Sequence, residues 1–84
     1  MIEDFRDGEA EPVYRRFQAE GRLMGPRLSV ITSVVTEDLR RCYQIMACDD
    51  RAQLDAWIAR WSDLVVFQVV PVLSSAEAMV RALS

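Results

Sequence analysis

The chain has 84 residues, of which 51% are hydrophobic, and a formal net charge of -3. Its 10 basic residues are all arginines and are dispersed among 13 acidic residues, so no basic surface of the kind that binds nucleic acid is expected. The longest apolar run is about half of the ~20 residues that a membrane-spanning helix needs, and the acidic start at Glu3 and Asp4 is unlike a signal peptide, which favours a cytoplasmic protein.

The first half of the chain predicts a strand, a helix and a second strand. Met1–Phe5 favours a short strand. Glu9–Glu20 has apolar residues at helical spacing and acids in its first turn, which predicts a helix that ends at Gly21. The apolar positions of this helix are Ala10, Val13, Tyr14 and Phe17. Arg22–Arg27 predicts a loop, and the β-branched residues of Leu28–Thr36 predict a strand.

The middle of the chain predicts a β-hairpin, in which Glu37–Leu39 connects the second strand to a third strand at Arg40–Cys48. Alternation gives the third strand one face with Cys42, Gln44, Met46 and Cys48, and another with Arg41, Tyr43, Ile45 and Ala47. On such a strand Cys42 and Cys48 lie roughly 20 Å apart, beyond the ~6 Å that a disulfide allows, so two buried free thiols are expected. The chain contains no histidine, and no metal site is expected.

The last part of the chain predicts a helix, an apolar strand and a short final helix. The second helix starts at a cap formed by Asp49 or Asp50. Its apolar face consists of Leu54, Trp57, Ile58 and Trp61, where the helix ends. Leu64–Leu73 predicts a strand, and Pro71, which has no N–H for a strand ladder, places this strand at a sheet edge. A serine cap precedes the final helix, Ala76–Leu83.

This element order predicts a single α+β domain over residues 1–84 with a ferredoxin-like βαββαβ plan. The expected sheet is antiparallel and four-stranded, with two helices on one face and the short C-terminal helix added. The uncovered face keeps apolar side chains from the second and fourth strands, and such a patch usually marks an association surface. We therefore expect a homodimer that forms through the sheet face and the edge strand, as a dimeric α/β barrel.

The chain also resembles a bacterial family catalogued as domain of unknown function 3303. The similarity is carried by Trp57–Leu73, by Cys48–Asp50 and by Ile2–Arg6, Val13–Phe17 and Thr36–Gln44. The resemblance implies a ferredoxin-like protein of the dimeric α/β-barrel type, and it transfers no catalytic residue. Members of the family start a few residues upstream, which implies a first strand that is shortened at Met1.

Five residues are candidates for a ligand site. Trp57 and Trp61 are either the aromatic wall of a ligand cleft or core residues. Arg41 and Tyr43 either orient an anionic or carbonyl ligand inside the dimer cavity, or satisfy the acidic residues of the hairpin. Asp63 is either a general base or a residue whose carboxylate bonds the turn between helix and strand.

The sequence leaves the biochemical function open between two main classes, and a third possibility is a subunit that adds its edge strand to a different protein. One is a binding or interaction module that holds a small hydrophobic ligand. The other is a cofactor-independent enzyme, such as a monooxygenase, isomerase or cyclase, that acts on a small aromatic or polyketide-like compound. No cofactor is expected, since haem in particular usually requires an axial ligand, and this chain has no histidine and only the weaker candidates tyrosine and cysteine. A closed cavity of several hundred Å³ that contains a buried, unpaired carboxylate favours the enzyme, and a packed barrel with all acids exposed favours the module.

Overall fold

The computed structural model describes residues 1–84 and contains four strands and three α-helices. In chain order they are β1 (Ile2–Phe5), α1 (Glu11–Glu20), β2 (Leu28–Val35), β3 (Arg41–Cys48), α2 (Arg51–Trp61), β4 (Val65–Gln68) and α3 (Ser75–Leu83). The strands form one antiparallel sheet in the order β2-β3-β1-β4. This is the order that the ferredoxin-like plan requires, so the predicted fold is confirmed.

The core lies between one face of the sheet and the two long helices. Its buried apolar members are Phe5, Leu28, Cys42 and Val65 from the strands, and Val13, Leu54, Trp57 and Trp61 from α1 and α2. The stripe predicted on the second helix is the face that packs, because three of its four residues are fully buried. The opposite face of the sheet, which we call the open face, has no helix against it and exposes Val34, Tyr43, Ile45 and Val66.

The first helix begins two residues later than predicted. Arg6–Gly8 forms a short 3-10 turn after β1, with positive φ angles of 58° at Asp7 and 66° at Gly8. Glu9 is then extended, and the α-helix starts at Glu11. Positive φ at two consecutive residues turns the chain out of the strand, so Glu9 cannot join the helix.

The fourth strand is shorter than the predicted Leu64–Leu73. Its partner β1 has only four residues, and the register runs from Phe5 opposite Val65 to Ile2 opposite Gln68. Residues after Gln68 therefore have no neighbouring backbone to pair with, and the strand ends there. The strand does lie at the sheet edge, as predicted, but Pro71 lies beyond its end.

The two cysteines are free, and only one of them is buried. Cys42 is in the core, whereas Cys48 is exposed, so the expectation of two buried thiols is wrong for Cys48. Pairing between β1 and β3 stops at Ile2 opposite Tyr43. The last residues of β3 therefore have a strand on one side only, and Cys48 is the final residue of this unpaired edge.

The C-terminal helix α3 extends away from the rest of the chain. None of its residues is buried. The molecule is elongated as a result, with extents of 46 × 29 × 17 Å along its principal axes. None of the helices combines the length and the apolar character that crossing a membrane would require.

Candidate functional site

A cleft of about 70 Å³ lies between the helices and the sheet. Strands β1, β2 and β3 supply its floor, and α1, α2 and the loop after α1 supply its walls. Its lining consists of Glu3, Phe5, Val13, Tyr14, Phe17, Arg22, Ser33, Cys42, Gln44, Trp57 and Trp61. An aromatic lining with a few polar groups is typical of sites for small organic molecules.

The floor of the cleft carries two buried polar side chains, Glu3 and Gln44, each 6% exposed. Alternation along β1 places Glu3 on the same face as Phe5, toward the helices. The Gln44 side-chain amide donates a hydrogen bond to the Glu3 carboxylate, and the Gln44 carbonyl oxygen accepts one of 3.0 Å from Arg22 Nη1. The three side chains thus form a chain of hydrogen bonds from the cleft wall to its floor.

Burial raises the pKa of the Glu3 carboxyl above its ordinary value of 4.5. The hydrogen bond from Gln44 and the charge of Arg22 act in the opposite direction, but burial is the larger effect. Glu3 therefore holds its proton more tightly than an exposed glutamate. A carboxyl group in this condition can donate a hydrogen bond when protonated and accept one when ionised.

The two tryptophans are fixed by a single backbone carbonyl. The indole Nε1 atoms of Trp57 and Trp61 both donate to the Arg22 carbonyl oxygen, at 2.7 and 2.9 Å. The Arg22 guanidinium meanwhile lies 5.3 Å from the centre of the Phe17 ring. Arg22 thus orients the aromatic wall through its backbone and reaches the polar floor through its side chain.

Two aromatic side chains of α1 stand at the mouth of the cleft. Tyr14 is 43% exposed and Phe17 is 40% exposed. Tyr14 packs edge-to-face on Phe5, with 6.1 Å between ring centres. Both rings are therefore in place to contact a molecule that enters from solvent.

Cys42 contributes a thiol that is not set up as a nucleophile. Its Sγ lies 3.6 Å from the hydroxyl of Ser33. Burial raises the pKa of this thiol, so the reactive thiolate form is disfavoured. Cys42 therefore serves as a small apolar part of the lining.

Two of the five residues predicted for the site, Trp57 and Trp61, lie together in the cleft. They are also core residues, each 4% exposed. The structure thus combines the two alternatives, because the inner edges of the core rings form the wall of the cleft.

Arg41 and Tyr43 lie outside the cleft, on the open face. Arg41 Nε donates to Asp4 Oδ1 at 2.6 Å, and Arg41 Nη1 donates to the Tyr43 hydroxyl at 3.4 Å. Asp4 of β1, and not an acid of the hairpin, is thus the partner of Arg41. Neither side chain lines the cleft that contains Glu3 and Gln44.

Asp63 lies on the surface, where the guanidinium of Arg16 binds both of its carboxylate oxygens at 2.8 and 2.6 Å. This hydrogen-bonded contact holds the pKa of Asp63 below its ordinary value. A carboxylate in this condition is a weak proton acceptor. The contact between Arg16 and Asp63 joins α1 to the turn after α2.

Sequence reasoning missed Glu3, the acidic residue of the cleft. The signal was the strand parity of Ile2–Phe5, in which Glu3 and Phe5 share a face. Because Phe5 enters the core in the structure, Glu3 enters beside it. No group of three His, Cys, Asp or Glu side chains is arranged to hold a metal ion.

Comparison with known proteins gives a family and no further relative. A family model matches residues 1–83. No curated protein and no solved structure matches the chain. Because the match covers all but the last residue, the chain belongs to the family described as domain of unknown function (DUF3303).

Proposed function

We propose that this chain is a homodimeric binding protein of the bacterial cytoplasm, and that it holds a small, neutral, planar organic molecule in the cleft. The observation that carries this proposal is the buried Glu3–Gln44 pair beneath an aromatic lining. Removing a carboxylate from water is costly unless it is well paired. If Glu3 and Gln44 only filled the core, we would not expect both of them to line a cleft.

The size of the cleft limits the ligand to about one aromatic ring. An apolar cavity of about 150 Å³ can hold benzene, whereas the cleft has about 70 Å³. The remaining part of a ring would lie in the mouth, between Tyr14 and Phe17. The exposed rings at the mouth support a ligand that is only partly enclosed.

The polar groups favour a neutral ligand that can both donate and accept hydrogen bonds. The Gln44 amide and the Arg22 guanidinium are already engaged in their own chain of hydrogen bonds. Glu3 is the acidic group of the floor, and its charge would repel an anion. A primary amide or a similar group on an aromatic ring satisfies these conditions.

The accessible surface of the chain supports the dimer. It is 5993 Å², about 900 Å² more than the roughly 5,100 Å² expected for a compact monomer of this mass. A standard interface buries about 800 Å² of each partner. The excess is thus close to what one interface removes, and the open face offers exposed apolar side chains for it. Two free thiols fit the reducing conditions of the cytoplasm.

Intrinsic fluorescence tests the binding proposal directly, because the chain has two tryptophans and both line the cleft. Titration with benzamide should give a saturable change, and benzoate should bind more weakly because Glu3 repels it. Glu3→Gln should weaken benzamide binding about tenfold, which corresponds to one hydrogen bond of ~1.4 kcal/mol.

Asp63→Asn is the matched control for this titration, since it neutralises an exposed carboxylate outside the cleft. It should leave benzamide binding unchanged. Absence of any saturable change in the unmodified protein, or equal binding by Glu3→Gln, would contradict the proposed site.

The raised pKa of Glu3 favours one alternative function, a cofactor-independent enzyme that moves a proton on a bound ring compound. Acetophenone in D₂O is a suitable probe because it has acidic C–H bonds beside a carbonyl. An enzyme would accelerate deuterium incorporation, measured by proton NMR, and Glu3→Gln would abolish the acceleration. A rate equal to that of buffer alone would exclude this activity and leave the binding function.

A further inference from the structure

Helix α3 is a complete amphipathic helix with nothing packed on it. Its apolar residues Ala76, Met79, Val80 and Leu83 fall at i, i+3, i+4 and i+7 and form what we call the α3 stripe. Met79, Val80 and Leu83 are 60%, 69% and 81% exposed. The helix also has a capping box, in which Ser74 and Glu77 exchange hydrogen bonds.

A helix this short needs a packing partner. Isolated helices of fewer than about 12 to 15 residues are marginal in water, and α3 has 9. Its capping box satisfies only the first backbone donors. Stability must therefore come from burial of the α3 stripe, which no other part of the same chain covers.

An apolar groove of about 420 Å³ lies beside the point where α3 starts. We call it the β3 groove; it is lined by Met1, Gln44, Ile45, Met46, Ala47, Cys48, Arg51, Leu54, Val69, Val70, Pro71 and Val72. Ile45 also belongs to the open face, so the groove and that face are continuous. The groove is large enough to receive several of the α3 side chains.

In the structure, the helix does not lie in the groove of its own chain. Only Leu73 and Ser74 separate Val72, which lines the groove, from the first residue of α3. Two residues span about 7 Å, so α3 starts beside the groove, but the helix itself, about 13 Å long, has no buried residue. The α3 stripe is accordingly outside its own groove.

A second copy removes this difficulty. In a two-fold dimer, a helix and a groove that are neighbours in one protomer can meet their counterparts in the other, and the contact is then made twice. The accessible surface that exceeds the monomer expectation, about 900 Å², is close to the ~800 Å² that each partner loses in a standard interface. The α3 stripe and the β3 groove, together with the adjoining open face, are apolar surfaces available to account for it.

We propose that α3 of each protomer packs its apolar stripe into the β3 groove of a second copy, so that the dimer is held by two reciprocal helix arms. The inference rests on the homodimer of the proposed function, and it identifies α3 as the segment that holds the two copies together. It also predicts that the groove residue Cys48 lies close to α3 of the partner.

Disulfide crosslinking in the full chain tests the arm. Val80→Cys places a thiol within the α3 stripe, and diamide oxidises it together with Cys48 by accepting the two thiol hydrogens. The expected product is a covalent dimer on a non-reducing gel, absent when Cys48→Ser is added. Arg81→Cys, on the opposite side of the same helix, is the matched control and should give little dimer.

Sedimentation velocity of the same variants separates the possible results. A dimer without the Val80–Cys48 crosslink would overturn the arm but leave the proposed dimer. A monomeric protein at high micromolar concentration would overturn both. A crosslink within one chain, at monomer mass, would show that α3 folds into its own groove and would also overturn the inference.

Discussion

Glu3 is the only acidic side chain that the core buries. Its single side-chain hydrogen-bond partner is the Gln44 amide, a neutral group, and the charges of the N-terminus and of Arg22 act on it without a direct hydrogen bond. A buried carboxylate without a direct positive partner is destabilised relative to the protonated form. The charge state of this one residue therefore couples the stability of the fold to the chemistry of the cleft.

The free energy of unfolding should depend on pH through Glu3. Its pKa in the folded state is higher than 4.5, so above pH 4.5 the folded protein binds more protons than the unfolded chain. Its contribution is fully present below pH 4.5 and is lost as pH rises through the folded-state pKa. In Glu3→Gln this loss of stability with rising pH should be absent. Urea unfolding between pH 4.5 and about 7.5 measures the free energy of unfolding of both proteins.

Asp63 provides the internal comparison for this experiment. Its pKa is lowered from 3.8 by Arg16, so its contribution is lost only as pH falls below that value. Asp63→Asn should thus leave the slope of the free energy of unfolding against pH unchanged above pH 4.5. If Glu3→Gln showed the same slope as the unmodified protein, Glu3 would not be the titrating group.

Leu39 offers a second residue-scale prediction, on the hairpin between β2 and β3. It has a φ of 60° and its side chain is 54% exposed, so it bears backbone strain and contributes little burial. Leu39→Gly should raise the free energy of unfolding by about 0.5 to 1 kcal/mol, because glycine has no Cβ to strain. Leu39→Ala keeps the Cβ and should show no gain in the same urea experiment.

At the residue scale, strand parity places Glu3 on the same face as Phe5, but it does not decide which face of β1 is the inner one. The four residues Ile2–Phe5 contain one large apolar residue on each face, so either face of β1 could have been the inner one. The helices settle the choice by packing on Phe5. The partner of Arg41 was likewise unpredictable, since Asp4 becomes its neighbour only when β1 pairs with β3.

Among the elements, α2 is the one that joins the core to the cleft. Its two indole groups share the Arg22 carbonyl, so the loop after α1 is anchored to α2 by two hydrogen bonds. Either bond alone still satisfies that carbonyl. The loop should therefore tolerate the loss of one donor much better than the loss of both.

Tryptophan-to-phenylalanine variants test this redundancy. Trp57→Phe and Trp61→Phe should each lower the free energy of unfolding by about 1 to 2 kcal/mol, through one lost hydrogen bond and a smaller ring. The double variant should exceed their sum by about 1 kcal/mol, since it leaves the Arg22 carbonyl without a donor. Trp57→Phe combined with the distant Leu39→Ala is the additive control, and strict additivity in both pairs would refute the shared anchor.

Helices and their caps were predictable from local sequence, whereas the length of the last strand was not. Asp50 accepts a hydrogen bond from Ala52 N at 2.9 Å, as a capping aspartate should. By contrast, residues 69–73 have the composition of a strand and lack only a neighbour to pair with. Strand length depends on the partner strand, and the short β1 is distant in sequence.

At the scale of the whole molecule, the chain leaves more surface in water than its mass predicts. Only 10 of the 84 residues are buried, and most of the large apolar side chains that remain exposed lie on the open face, in the β3 groove and on α3. The β3 groove meets the open face at Ile45 and lies beside the start of α3. A monomer would thus lack much of the burial that usually offsets the loss of chain entropy.

The midpoint of thermal unfolding should consequently rise with protein concentration. If folding and dimerisation are coupled, a hundredfold increase in protein concentration adds about 2.7 kcal/mol per dimer to the free energy of unfolding. For a dimer of this size, that raises the midpoint by roughly 8 °C. Ile45→Arg places a charge on the open face and in the groove and should abolish the dependence. Ala59→Arg, on the exposed side of α2, should retain it. A midpoint that is independent of concentration in the unmodified protein would mean that the monomer is stable alone, and that the apolar surfaces do not join two copies.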